Sequence, residues 1–328
     1  MTGDDGCNGG KTYETELKMS GCQNGEFTCN DGQCVSMTER CNQLPKCRDE
    51  SDEGNCQILI LKEGYNMAVP PIEKGDPVNV NVSIDVLRLV DIDEDDYSIE
   101  IQFEISMKWK ENRAIYHNLK EKDSLNALQK RDFEKLWLPE VIYENTDQKE
   151  STRLGEIGAG EWKTRVVVKR EGQPTPSGLE TVDETDVFKG SENSLIISQV
   201  YTHPFQCNYK FVAYPFDTQV NLYKVIAGNF IFEFSQTCFI DMAVGSLDIE
   251  TVNLVSGLLE MNQAVDMSIF QITGWTLTEK QFNKEKKGIT MMIVLKRKII
   301  SEIMTTYFPT VLLTAITFSH RSALLQRR

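Results

Sequence analysis

Histidine is scarce in this 328-residue chain: it occurs only at positions 117, 203 and 320, with no His-Glu-x-x-His. That excludes the paired-histidine zinc site of a metalloprotease. Phosphate loops are missing too. Gly10-Lys11-Thr12 has the right ending, but position 5 is Asp where the loop requires Gly, and Gly155, Gly158 and Gly160 do not follow the dinucleotide spacing. Asp91, Asp93 and Asp95 begin like a calcium hand, yet position 96 is Asp instead of Gly and position 102 is Gln instead of Glu. Positive charge is the minority, 35 Lys and Arg against 49 Asp and Glu, so the formal net charge is −14. A main role on nucleic acid needs a concentrated basic face and is disfavoured. Long apolar runs are absent as well. Tyr307 to Phe318 is mostly apolar, but twelve helical residues cover about 18 Å, and a bilayer core of about 30 Å needs some 20 residues. The segment reads as the start of a membrane helix, followed by a polar and basic tail, Ser319 to Arg328. The opening, Met1-Thr2-Gly3-Asp4-Asp5-Gly6, is acidic and lacks the apolar stretch of a secretion leader, so the true start is expected upstream.

Cysteine is abundant and unevenly placed: seven of nine precede position 57. Cys22, Cys29, Cys34, Cys41, Cys47 and Cys56 enclose few large apolar side chains, so burial alone cannot hold that segment. Zinc is disfavoured, with no His and no pair of CxxC knuckles, and disulfides are the better reading. Six cysteines allow fifteen pairings. Cys7 is left over, and its partner is expected outside the chain.

The string CQNGEFTCNDGQCVSMTERCNQLPKCRDESDEGNC, residues 22–56, resembles the low-density-lipoprotein-receptor class A module, including Phe27 and the terminal Ser51-Asp52-Glu53. The resemblance implies pairing Cys22–Cys34, Cys29–Cys47 and Cys41–Cys56. It also implies one calcium ion, held by the side chains at 42, 46, 52 and 53 and by the carbonyls of Glu39 and Leu44. Asn42, Asp52 and Glu53 can supply oxygen, but Lys46 places an ammonium where a carboxylate is needed. Calcium binding is expected to be weak or absent, leaving the alternative of a purely structural disulfide knob.

Residues 1–21 match nothing recognisable, and 57–75 read as a linker. From residue 76 the pattern turns to β. Val78, Val80, Val82, Ile84 and Val86 alternate with Asn79, Asn81, Ser83 and Asp85, the period of a half-buried strand. Ile99, Ile101, Phe103 and Ile105 repeat it, as do stretches around Val166, Ile196 and Met291. Many strands and few helical periods predict a mainly β chain built on a β-sandwich. One glycosylation sequon, Asn81-Val82-Ser83, lies in the first strand.

Four islands stand in order: Trp109 in SMKWKENR, Trp137 and Pro139 in KLWLPEVIYEN, Tyr214-Pro215-Phe216-Asp217 between Cys207 and Cys238, and Tyr307 and Pro309 after LKRKIISEIMTT. Together they resemble the extracellular ligand-binding domain of Cys-loop pentameric ligand-gated ion channels, an immunoglobulin-like sandwich spanning 76–302 here. The resemblance implies a Cys207–Cys238 disulfide, a coupling loop carrying Tyr214 to Asp217, a homo- or hetero-pentamer and a small neurotransmitter-like ligand bound between subunits. It places the intact protein in the plasma membrane, with residues 303–328 as a truncated first membrane helix and an aberrant tail. As written the chain carries no pore helices and reads as non-conducting. Tyr143, Glu144, Phe282 and Ser106 occupy positions that would line the ligand site. The loop after Cys238 offers only Gly245 and Ser246, so a full aromatic cage for an amine is not assembled. Rival readings are a soluble, secreted ligand-binding pentamer and an adhesion or lipoprotein-binding surface on the class A module. An enzyme is not among them.

The loop cysteines enclose thirty residues, whereas the family fixes thirteen. Removing Val220 to Gln236 restores thirteen and leaves Asp217-Thr218-Gln219-Thr237-Cys238. Every Val codon begins GT and one Gln codon ends AG, the borders of an intron, so residues 220–236 read as a retained intron. Amplifying the junction from complementary DNA should give a dominant product without these codons. A dominant product that keeps them would make the insertion genuine.

Overall fold

The computed structural model describes residues 2–4, 12–14, 21–23, 25–146, 164–175, 185–207, 236–244, 250–261, 270–282, 287–298 and 303–325. They fall into two units, one of residues 1–71, 110–137 and 166–196, the other of 72–109, 138–165 and 197–328. The chain is mainly β, with a disulfide-rich N-terminal module.

In the first unit, β1 (Thr2–Asp4) pairs antiparallel with β2 (Thr12–Glu14). The cysteine-rich module follows, built on the hairpin of β3 (Glu26–Thr28) and β4 (Cys34–Ser36). Among the described residues its core is Phe27, Cys29, Val35, Met37 and Cys47, with the Arg40 guanidinium 4.1 Å from the Phe27 ring centre. So small a core needs its three disulfides, Cys22–Cys34, Cys29–Cys47 and Cys41–Cys56. By the loop-closure argument each contributes roughly 3 kcal/mol. Those staples also hold Cys41, Gln43, Glu50 and Asn55 at positive φ, a conformation that costs a non-glycine residue about 1 kcal/mol or more.

Residues 57–75 differ from the expected linker. Within them β5 (Leu59–Leu61) pairs with β8 (Ala114–His117), which pairs on its other edge with β11 (Val187–Lys189). The apolar run Ile58-Leu59-Ile60-Leu61 is too short to show a period, and its edge pairing emerges only in three dimensions. Tyr65 anchors the same segment. Its hydroxyl donates to Glu111 Oε2 at 3.0 Å and accepts the Trp137 N–H at 2.8 Å. Glu111 is fully buried and takes a two-pronged ion pair from Arg113, Nε to Oε1 at 2.7 Å and Nη2 to Oε2 at 2.8 Å. The Arg113 guanidinium also stacks 4.4 Å from the Tyr65 ring centre. A buried carboxylate is tolerated only when paired in this way. β10 (Arg165–Lys169) buries Val166, Val167 and Val168, and the Val166 carbonyl accepts the Leu128 N–H at 2.9 Å.

The second unit is the sandwich. One sheet runs β12 (Ser194–Gln206), β7 (Ser98–Lys110), β6 (Val78–Asp93) and β14 (Val252–Met261), with β14 parallel to β6. The other runs β15 (Phe270–Gln281), β16 (Lys287–Arg297), β13 (Gln236–Val244) and β9 (Val141–Tyr143). Alternation decides the faces. Val80, Val82, Ile84, Val86, Ile99, Ile101, Phe103 and Ile105 are all at most 2% exposed, as are Ile240, Met242, Ile289, Met291, Ile293 and Leu295 from the second sheet. The residues between them, Asn81, Ser83 and Ser106 among others, stay half-buried. A helix at Phe308–Leu325 ends the described chain. It runs through Ser319 and His320, so the tail continues the helix that the apolar segment begins. Among the described residues no helix is long and apolar enough to cross a membrane.

Gly190 has no room for a side chain, because a β-carbon there would collide with the Glu111 carbonyl and lie 2.8 Å from that of Ala114. Gly190→Ala should cost about 3 kcal/mol in denaturant unfolding. Gly274→Ala, whose β-carbon would meet Val294 at 3.7 Å, should stay within about 1 kcal/mol of the parent.

Candidate functional site

Three strand ends meet beside the Cys207–Cys238 disulfide. Cys207 closes β12, its N–H donating to the Tyr97 carbonyl at 2.7 Å, and Cys238 lies fully buried in β13. Asn145, just beyond β9, bridges them. Its Nδ2 donates to the carbonyls of Gln206 at 3.0 Å and Phe239 at 2.6 Å, its Oδ1 accepts the Asp241 N–H at 3.0 Å, and its carbonyl accepts the Gln206 N–H at 2.9 Å. One side chain thus holds the residues next to both cysteines, together with Asp241, in a fixed arrangement.

A polar cluster sits on the same sheet. Lys280 Nζ in β15 pairs with Asp241 Oδ2 at 2.9 Å and Oδ1 at 3.1 Å, and the Thr290 hydroxyl of β16 donates to Asp241 Oδ1 at 2.7 Å. Lys280 Nζ also lies 5.0 Å from the centre of the Phe282 ring. The Glu144 N–H donates to the Asp241 carbonyl at 2.9 Å. Three strands therefore converge on one carboxylate, with an ammonium and an aromatic ring at the turn end of the β15–β16 hairpin. Such a set can offer a small ligand both signs of charge and an aromatic face.

Tyr143 stands apart from this cluster. It is 1% exposed and packs edge-on against Phe103 at 5.9 Å and Phe205 at 5.5 Å between ring centres. Its antiparallel pairing with Met242 turns the ring into the core, so Tyr143 is a packing residue here and not part of an open lining. Burial likewise pushes the neighbouring Tyr201 phenol well above its usual pKa. Ser106 lies on the outer face of β7, its hydroxyl 2.7 Å from that of Ser198, away from Phe282 and Lys280 in the other sheet. Tyr214, Pro215, Phe216 and Asp217, the insertion at 220–235, Gly245, Ser246 and Cys7 lie outside the described residues.

The class A module arranges its acids differently from a calcium cage. Asp52 is fully buried, with Oδ2 accepting the Lys46 N–H at 2.7 Å and Oδ1 the Cys47 N–H at 3.2 Å. Glu53 Oε1 accepts the Asn42 N–H at 2.9 Å and Oε2 the Gln43 N–H at 3.0 Å. Asn42 Oδ1 accepts the Leu44 N–H at 2.9 Å, and the Lys46 ammonium stands 3.7 Å from Glu39 Oε1. Two other groupings of Cys and acid come close, Cys22–Glu26–Cys34 and Cys29–Cys47–Asp49, but their sulfurs are in disulfides and offer no thiolate. Asn81 sits mid-strand in β6 between β7 and β14, with its Oδ1 against Gly257, and Ser83 Oγ accepts the Leu258 N–H at 3.1 Å. A sequon in a central strand is not the surface loop that glycan attachment requires.

Residues 57–172 match the family described as the neurotransmitter-gated ion-channel ligand binding domain, and residues 20–56 match the low-density lipoprotein receptor domain class A. Over residues 20–172 the chain is thus similar to a neurotransmitter-gated channel ligand-binding domain behind a class A module. A vitellogenin receptor of Solenopsis invicta is 36% identical over 56 residues, covering 17% of this chain and 3% of that protein. The chain thus spans a small fraction of that relative's length. In the second unit, sequence reasoning missed Asn145, Asp241, Lys280 and Thr290. Each is a lone polar residue at an outward strand position or in a loop, and no local pattern separates it from a solvated face.

Asn145→Ala should lower stability by about 2–4 kcal/mol, because it strands two carbonyls and an N–H beside the disulfide. Lys280→Met removes a part-exposed ion pair and should change global stability by less than about 1 kcal/mol. Hydrogen exchange in β15 and β16 should nevertheless quicken, and unchanged exchange there would contradict a role for the pair in holding the hairpin.

Proposed function

We propose that this chain is the extracellular ligand-binding region of a neurotransmitter-gated channel subunit that assembles with other subunits, its own copies or relatives, into a pentamer at the plasma membrane. The observation that carries the reading is the meeting of β9, β13, β15 and β16 beside the Cys207–Cys238 bond. That arrangement gathers Glu144, Asp241, Lys280 and Phe282 in the domain that the family match begins. The lining residues favour one ligand class. With Tyr143 in the core and the Lys280 ammonium beside the Phe282 ring, the described residues of the site do not form the open aromatic box that a quaternary amine needs. Two carboxylates and an ammonium suit a small zwitterion, an amino-acid-like transmitter, better.

The similarity to a vitellogenin receptor supports a second reading, in which the class A module captures a lipoprotein or adhesion partner; Lys46 weighs against it wherever that capture depends on calcium.

Thermal-shift and calorimetric titration of the assembled chain with glycine, glutamate, γ-aminobutyrate, acetylcholine and serotonin tests the first reading. A zwitterion should bind, and Lys280→Met should weaken it by about tenfold or more, worth about 1.4 kcal/mol. Acetylcholine binding that is unchanged or tighter in Lys280→Met would overturn the assignment of ligand class.

A further inference from the structure

Calcium is the ion that the class A family implies, and the donor set tests its fit. A hard divalent cation takes six to eight oxygens, several of them carboxylate. Here one position of the expected set is Lys46. The two remaining carboxylates, Asp52 and Glu53, turn all four oxygens toward backbone N–H groups at 2.7–3.2 Å. Glu53 sits in a small anion nest, where the consecutive N–H groups of Asn42 and Gln43 converge on it and Gln43 takes the positive φ that lets them do so. The residues present do not fit calcium.

We propose that this module is calcium-independent because the Lys46 ammonium, 3.7 Å from Glu39, supplies the positive charge that the ion supplies elsewhere, while backbone amides hold Asp52 and Glu53. The geometry around it is consistent. The Lys46 N–H binds Asp52, so the residue that excludes the ion also fixes the acid that would have held it. A second ammonium comes from beyond the module, where Lys120 Nζ donates to the Met37 carbonyl at 2.8 Å. Burial lowers the Lys120 pKa, and the attraction of Asp186 and Glu53 opposes that fall. Two tethered single charges, Lys46 beside Glu39 and Lys120 attracted by Glu53, thus stand in place of one double charge. The consequence is a module whose fold does not vary with extracellular calcium.

The test uses the full chain, with calcium chloride as the probe, in calorimetry, thermal unfolding and hydrogen exchange. The parent should show the same melting temperature in chelator and in calcium at about 1 mM, the weak end of the range for extracellular modules. Exchange over residues 39–53 should be equal in the two conditions. Calcium-dependent protection confined to 39–53 in the parent would overturn the proposal without recourse to any variant, and would separate this site from the exposed acids at 91–96. Lys46→Asp changes the site by two charges. It should gain one calcium at least about a hundredfold tighter than the parent, with a melting temperature that rises in calcium. If Lys46→Asp forms the three disulfides yet binds no calcium, Lys46 is not what excludes the ion and the proposal fails.

Discussion

The second unit depends on a tie made by one amide and one disulfide. Cys207 and Cys238 fix the end of β12 to β13 covalently, but a disulfide closing a 31-residue separation leaves the flanking backbone free to turn. Asn145 removes that freedom by engaging Gln206, Phe239 and Asp241 with three side-chain hydrogen bonds. Because β9 ends two residues before Asn145, the strand that carries Tyr143 is drawn into the same arrangement. Asp241 can then receive Lys280 and Thr290 from the adjacent hairpin. The polar cluster is therefore downstream of the tie and would lose its geometry without it.

Charge is handled in the same way in both units, by partners within the chain. Glu111 is buried against Arg113, Asp241 is held by Lys280, and the acids of the class A module face backbone N–H groups with Lys46 nearby. A chain with a formal charge of −14 carries many carboxylates that need no explanation, since solvated acids are common on surfaces. The informative ones are those taken out of water, where an unpaired charge would cost several kcal/mol. These mark points at which the sequence commits to one structure: the anchoring of residues 57–75 through Glu111 and the staple of the module through Asp52.

Alternation made most of the sandwich legible. Val78 to Val86 and Ile99 to Ile105 read as strands because period two over nine and seven residues has no helical equivalent, and their apolar members form the inner face. The module was legible through its cysteine spacing, and its bridges are Cys22–Cys34, Cys29–Cys47 and Cys41–Cys56. Leu59–Leu61 was not legible, since three apolar residues carry no period and an edge pairing is decided by the partner strand. Nor was the direction of Tyr143, which follows from its register against Met242 and not from any feature of the loop around it. The cluster on Asp241 unites residues 39 and 49 positions apart, a distance over which sequence pattern is silent. The parallel pairing of β14 with β6, 174 residues apart at Asn79 and Asn253, was hidden for the same reason.

The central claim is that these residues form a subunit of a symmetric ligand-binding assembly. Native mass spectrometry of the chain purified in mild detergent, across a range of concentrations, tests it most directly. The account predicts a dominant species of five subunits, or a five-subunit mixture on co-expression with a related subunit. A chain that folds with its four disulfides formed and stays monomeric alone and with every related subunit would contradict it.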